Sequence, residues 1–393
     1  MKYKKISIIL CTLFIVSLVI SGCGNSDTAK PPDATQAEAE TEEADNEAAA
    51  AEEGSGETDA EDINAENSET ENHGSEDDNE KQQDETAKEE EPEAEGYHFT
   101  PYVYSEKLSE KYDENWWQSF YNMVDAIRAG EDTFECYDEQ TYKECTDEIK
   151  LGELYPVACV YVTNKSNDGT TPYKNGVGRL YYTIPKEEFR EKREAFEAEV
   201  DRMLSEAVKT DFTDFEKCIG LFSYISRNFT YDDEGITTQH VGATYRTLME
   251  KSGICCELAS AYAYLLLQCG VDAIEVQSND DIYHAWTYVI LNGEGYYADV
   301  TWSLREKGES LNLQYFLETE QERTEDGFDL STIDIPLFMD EFGRFDGSKY
   351  KCPATDKTYS RLRHSECEGV NRKTKVLRYY DYLEGKSKEF HYE

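Results

Sequence analysis

Residues 252–302 read SGICCELASAYAYLLLQCGVDAIEVQSNDDIYHAWTYVILNGEGYYADVTW, and the rest of the chain is interpreted from them. Gly270 is a natural helix stop, and ahead of it Leu258, Ala261, Tyr262 and Leu265 recur at i, i+3, i+4 and i+7. The spacing predicts a helix that opens near Cys255. Because Ala259, Ala263 and Leu266 are also apolar, that helix has more than one apolar side and belongs in the middle of the fold. A cysteine in its first turn meets unpaired backbone N–H groups and the positive end of the helix dipole, both of which favour thiolate over thiol. Cys255 is therefore a candidate nucleophile.

Residues 271–277, 283–291 and 296–302 read as strands, with Asn292-Gly293 as a hairpin signal between the last two. A two-residue turn there pairs Leu291 with Glu294, and His284 with Thr301. Asp299 then projects from the same face as His284, a diagonal neighbour about 7–8 Å away by backbone spacing and nearer at the side-chain tips. In that position Asp299 can orient and polarise His284 while His284 faces a thiolate. Nucleophile, base and orienting carboxylate together are the machinery of acyl transfer.

At these residues the chain resembles the transglutaminase-like superfamily of papain-like thiol enzymes. The blocks that carry the resemblance are Gly253-Ile254-Cys255, the small Ala259, His284-Ala285-Trp286 and Asp299-Val300-Thr301-Trp302, in that order. Thr230-Tyr231-Asp232 and residues 240–248 (HVGATYRTL) are similar to the family's lead-in to the cysteine, so the resemblance spans roughly 189–302. It implies an α+β, papain/transglutaminase-like fold with a central nucleophile helix on an antiparallel sheet, and a triad of Cys255, His284 and Asp299. It also places Tyr231 beside the nucleophile, either joining the backbone N–H of Cys255 in an oxyanion hole or simply packed under the loop. Two features depart from the pattern. Glu257-Leu258 stands where relatives usually carry Gly-Tyr, and a carboxylate aimed into the site would oppose thiolate formation. The doublet Cys255-Cys256 offers two thiols, and position after Gly253-Ile254 favours the first.

The 393 residues carry a net charge of -45, spread unevenly: -25 over 24–96 and -23 over 97–393. Such a chain is repelled by phosphate backbones, which excludes nucleic acid as a natural partner. At the N-terminus Lys2, Lys4 and Lys5 precede an apolar run over 6–20 that is short for a membrane span and fits a secretion signal. Ile20-Ser21-Gly22-Cys23 looks like a bacterial lipobox. The expectation is a signal peptide over 1–22, lipidation (thioether lipid and palmitate) at Cys23, and a domain tethered to the outer face of the cell membrane. Over 24–96 the only large aliphatic residue is Ile63 and there is no Phe, Tyr or Trp, so 23–96 reads as a disordered acidic spacer.

Aromatic residues begin at Tyr97. Leu108, Tyr112, Trp116, Phe120, Val124 and Ile127 predict an amphipathic helix ending at Gly130, with the Trp116-Trp117 pair as core. Residues 154–163 and 177–184 read as strands, 185–209 as a helix, and Thr213-Asp214-Phe215-Glu216 as a capping box opening another. Beyond Trp302 the pattern weakens: a short strand over 313–317, a loop-rich stretch over 326–350, and a terminal hairpin of 375–382 with 387–392. The domain reading is 97–185, an N-terminal helix and strand region; 186–303, the transglutaminase-like core; and 304–393, a C-terminal extension.

Of 11 cysteines, Cys11 and Cys23 belong to the leader and anchor. Cys218 and Cys269 fall at buried helix positions, and Cys352 and Cys367 flank a polar loop where they could pair. There is no Cys-x-x-Cys, no His-Glu-x-x-His and no Gly-rich nucleotide loop, so neither a metal nor a cofactor is expected. The sequence thus points to a membrane-tethered thiol acyl-transfer enzyme that acts on amide bonds or carboxamides of a protein or peptide, with a cell-wall peptide as one candidate. The alternatives are a cell-wall cysteine peptidase, a non-catalytic binding or scaffold module of the same fold, for which Glu257 speaks, and a solute-receptor lipoprotein.

Overall fold

The computed structural model describes residues 95–166, 171–232, 243–279, 283–306, 308–340 and 343–393. The signal peptide expected over 1–22, Cys23 and nearly all of the expected spacer lie outside the described residues, as does the 240–242 part of the lead-in to the cysteine. The fold is α+β. At its centre the helix Cys255–Gln268 is buried from Leu258 through Gln268, which accounts for its lack of a polar face. It ends as Gly270 takes a left-handed conformation (φ 74°).

Against this helix lies an antiparallel sheet in the order Glu294–Ala298, His284–Leu291, Ala273–Ser278, Ile333–Asp334. Asn292 and Gly293 both have positive φ, and Leu291 pairs with Glu294, so the two-residue turn sets the register as the sequence predicts. Helix and sheet approach closely because small residues face each other. Ala259 and Ala285 are both buried in one cluster with Cys255, and the Thr287 hydroxyl donates to the Ala259 carbonyl at 2.9 Å. Elsewhere on the hairpin, Gly295 leaves room for the Tyr288 hydroxyl to reach the Pro353 carbonyl at 2.9 Å. A Cβ at 295 would lie 2.4 Å from that carbonyl oxygen. Gly295→Ala is expected to destabilise the protein by about 1–3 kcal/mol, read as a lowered denaturant midpoint with unchanged slope.

Around this centre the helices Lys186–Ala207 and Asp214–Asn228 form as the sequence predicts. Thr213 and Glu216 complete the second helix's capping box. The terminal hairpin is also present, as Val376–Asp381 and Lys386–His391 in a four-stranded antiparallel sheet with Leu311–Asn312 and Ser365–Asn371. That sheet is fastened to the second helix: Tyr392 donates to Glu216 at 2.8 Å, and the Phe215 ring packs on Tyr359 and Tyr392. Trp116 and Trp117 are buried in the main core.

Several expectations are corrected. Residues 154–163 are mainly helical, as Glu148–Leu154 and Pro156–Tyr161, with only Val162–Thr163 extended. Asp147 caps the first of these helices and Pro156 opens the second, where its missing N–H has no partner to lose. The helix read from Leu108 is interrupted, because Asp113 accepts from the N–H groups of Asn115 and Trp116 and restarts it as Glu114–Ala129. Val177–Arg179 and Tyr181–Tyr182 pair in different sheets rather than forming one strand. The strand near 313 is instead Leu311–Asn312, and the hairpin's second strand stops at Ala298. Cys352 and Cys367 are not joined by a disulfide.

Candidate active site

Cys255 is the first residue of the central helix, immediately after Ile254 at the N-cap. Its backbone approach is fixed by a short parallel pairing in which Tyr231 lies opposite Gly253 and the Asp232 N–H donates to the Gly253 carbonyl at 3.1 Å. His284 opens the strand that the helix packs on, and Asp299 follows the last residue of the next. The structure brings these side chains together. His284 Nε2 and Asp299 Oδ2 are 2.7 Å apart and both groups are buried. Cys255 and His284 lie near enough that each shifts the other's ionisation.

The Asp-x-x-Trp block has a physical explanation. Asp299 Oδ1 accepts the Trp302 N–H at 3.1 Å and closes a turn at the end of the hairpin. The turn lays the Trp302 ring on His284, with centroids 4.9 Å apart and planes 18° from parallel. Phe328 lies nearly parallel to the imidazole at 5.7 Å. One carboxylate therefore orients the imidazole with one oxygen and positions the tryptophan that packs on it with the other.

Electrostatics follow from these contacts. Cys256, then His284 and the Ala285 N–H, outweigh burial and hold the Cys255 thiol well below its ordinary pKa. Cys256 moves the other way. The adjacent Cys255 thiolate, burial and the charges of Glu275 and Glu257 push it well above the usual thiol value. Burial alone would lower His284, but the Asp299 charge and hydrogen bond, then Cys255, raise it to about 9. Burial would raise Asp299, yet His284 and Arg323 bring it down to about 2. The arrangement favours a thiolate–imidazolium pair at neutral pH, and it distinguishes Cys255 from its neighbour.

Glu257 does not confront the thiolate. Its Oε2 turns back to accept the Ile254 N–H at 3.0 Å, capping the helix, and pairs with Arg246. Arg246 also holds Asp232 at 3.0 Å, so one guanidinium ties the 230–232 segment to the start of the cysteine helix. We expect Glu257→Gln to leave the alkylation rate of Cys255 within about threefold while lowering stability by about 1 kcal/mol or more, through the weakened cap and lost ion pair. Rate and denaturation measurements on one preparation check both.

The sequence reading missed two groups. Glu275 is buried beside the two cysteines, hydrogen-bonded by Ser260 and Gln277, and burial pushes its carboxyl up to about 7. Arg323, fully buried, reaches Asp299 Oδ2 at 2.7 Å and lies over the rings of Trp286 and Phe328 at 4.3 and 4.4 Å. Thr319-Glu320-Gln321-Glu322 has the pattern of a capping box. That signal places Arg323 on the short helix Glu320–Glu325, although nothing local says what it faces.

Residues 202–299, about a quarter of the chain, match the family described as the transglutaminase-like superfamily. The match ends at Asp299 and takes in Cys255 and His284. A comparison with curated proteins gives no match. Among solved structures, one described as a TGase is 15% identical with a TM-score of 0.25, over 34% of this chain and 37% of the other. A candidate cysteine protease from Cytophaga hutchinsonii is 15% identical with a TM-score of 0.24, over 40% and 59%. A candidate protease from Parabacteroides distasonis is 12% identical with a TM-score of 0.21, over 34% and 30%. The chain thus spans from about a third to three fifths of the length of these proteins, and likeness at this level carries no argument about activity.

Proposed function

We propose that the protein is a thiol acyl-transfer enzyme that acts on carboxamides or amide bonds of a protein or peptide through a thioester at Cys255. The observation that carries this reading is the buried His284, bonded at 2.7 Å to Asp299, with Cys255 at the first turn of the helix packed on its strand. The Cys255 thiolate attacks the carbonyl carbon, and the electron pair moves onto oxygen. As the C–N bond breaks, His284 gives its proton to the departing nitrogen, leaving a thioester and a neutral imidazole. An amine or a water molecule then loses its proton to His284 as it attacks, and the thiolate returns as leaving group. Asp299 keeps the imidazole in the productive tautomer and stabilises the imidazolium.

The oxyanion is assigned to the N–H groups that open the cysteine helix. Tyr231 is the proposed second donor, supported by its backbone pairing opposite Gly253, two residues before the nucleophile. The non-catalytic alternative loses its main argument, since Glu257 serves the helix cap and Arg246 rather than facing the thiolate.

The test is to incubate the protein with a glutamine-containing peptide or a simple primary amide and seek the acyl adduct by intact mass after acid quench. An adduct on Cys255, discharged by hydroxylamine, supports the proposal. No adduct from a broad panel, on a protein whose Cys255 is otherwise reactive, counts against acyl transfer. For the membrane tether, the supporting feature is the sequence at 20–23. Incorporation of a labelled fatty acid that disappears in Cys23→Ala supports lipidation, and unlabelled protein in the medium opposes it.

A further inference from the structure

The triad does not end at Asp299. Oδ2 of that carboxylate is shared: His284 Nε2 and Arg323 Nη2 each lie 2.7 Å from it. Arg323 is itself gripped. Its Nη1 pairs with Glu318 at 3.4 Å and Asp326 at 3.8 Å. Arg363 closes the far side, with Nη1 2.5 Å from Glu318 and Nη2 2.7 Å from Asp326. Around the guanidinium lie the rings of Trp286 and Phe328, at 4.3 and 4.4 Å, and Trp302 at 5.0 Å. The result is an alternating chain of charge, from imidazole to carboxylate to guanidinium to two carboxylates to guanidinium. All of it beyond Asp299 comes from 318–363, after the residues that match the family.

We infer that Arg323 is a positioning residue of the triad, holding the Asp299 carboxylate ionised and aimed at His284 from a segment outside the transglutaminase-like core. This rests on the acyl-transfer reading of Cys255, His284 and Asp299. Asp299 is fully desolvated, and an isolated buried carboxylate takes up a proton rather than stay charged. His284 alone is a poor guarantor, because it gives up its own proton in each turnover. Arg323 carries a permanent charge, so Asp299 remains an acceptor whichever state the imidazole is in. The aromatic rings enclose the guanidinium, and Glu318 and Asp326 hold it from the side away from Asp299. A neutral Asp299 would turn the tautomer of His284 and withdraw support from the thiolate.

The groups facing this pair come from several elements. His284 and Cys255 lie on one side, Glu318 and the Tyr315 phenol precede the arginine helix, Asp326 and Glu322 belong to that helix and its end, and Arg363 comes from beyond it. Arg323 lowers both Asp299 and Glu318, but burial still holds Glu318 well above the usual carboxylate range, and of the two Asp299 is the one bonded to His284.

The experiment is the pH profile of Cys255 alkylation in the full chain, for wild type, Arg323→Gln and Arg323→Lys. Without the guanidinium, Asp299 protonates at a higher pH, so the imidazolium loses its partner and the thiolate its support as pH falls. The acid limb of Arg323→Gln should therefore move up by about one unit, so that well below both limbs the variant reacts about tenfold slower than wild type when each is scaled to its own plateau. Arg323→Lys keeps the charge but not the fork, and should show a smaller shift of the same sign. If Arg323→Gln does not fold, the lysine variant decides: a limb unchanged from wild type overturns the inference. So does a glutamine variant that loses rate equally at every pH, as a merely structural role would produce. A wild-type Cys255 with no enhanced reactivity would instead refute the acyl-transfer reading itself, and the two failures are distinguishable.

Discussion

Cys255→Ser is expected to abolish acyl transfer, with a loss on the order of 10⁴-fold or more, while Cys256→Ser stays within about tenfold of wild type. The asymmetry comes from the local fold rather than the residue type. Cys255 occupies the first turn of the central helix, where the N–H groups, the dipole, the Ala285 N–H and His284 converge. A serine hydroxyl there remains protonated, since the same surroundings cannot bring an alcohol within reach of neutral pH. Cys256 is pushed well above the usual thiol value and stays protonated beside its neighbour, a role a hydroxyl can fill. Comparable losses from both substitutions would place the nucleophile wrongly. The readouts are the hydroxylamine-sensitive acyl adduct and the residual rate.

Asp299→Asn carries the second large effect, on activity and stability together. Activity is expected to fall by about 10³–10⁴-fold, because the amide directs an N–H where His284 Nε2 and Arg323 both require an acceptor. Stability is expected to fall by about 3–5 kcal/mol, because the buried guanidinium loses a charged partner that it touches at 2.7 Å. The turn to Trp302 can persist, since the amide oxygen can still accept the Trp302 N–H. Circular dichroism should therefore retain the wild-type signature at low temperature, with the deficit appearing in denaturant. Near wild-type turnover in Asp299→Asn would remove Asp299 from the mechanism.

What the sequence disclosed depended on how local each signal was. The cysteine helix has a stop at Gly270 and dense apolar spacing, and Asn292-Gly293 fixes a register by itself. Cys255, His284 and Asp299 could therefore be placed on opposed elements from single residues. The helix at Lys186–Ala207 and the capping box at Thr213 were legible for the same reason. By contrast, 154–163 is an apolar run too short for periodicity to separate strand from helix, and the Pro156 start decided for helix. Arg323 was invisible because its meaning lies in a contact with Asp299, 24 residues away, across a stretch without regular spacing. The direction of Glu257 was not legible because Ile254 at the N-cap hides half of the usual capping pattern, although the carboxylate still serves the cap.

The most direct test of the thiol–imidazole pair is the pH dependence of iodoacetamide alkylation, read by fragment mass spectrometry at Cys255 and Cys256 separately, in wild type and His284→Ala. A free thiol reacts with a midpoint near its pKa of about 8.5. Cys255, held well below the ordinary value, should already react at its plateau rate near neutral pH. Its sulfur loses its imidazolium partner only as pH passes about 9, where His284 deprotonates. Cys256, pushed the other way, should lag throughout. In His284→Ala the Cys255 midpoint should rise toward the free-thiol value. If both cysteines titrate alike, or if His284→Ala leaves the Cys255 profile where it was, the catalytic pair does not exist and the domain is not a thiol acyl-transfer enzyme.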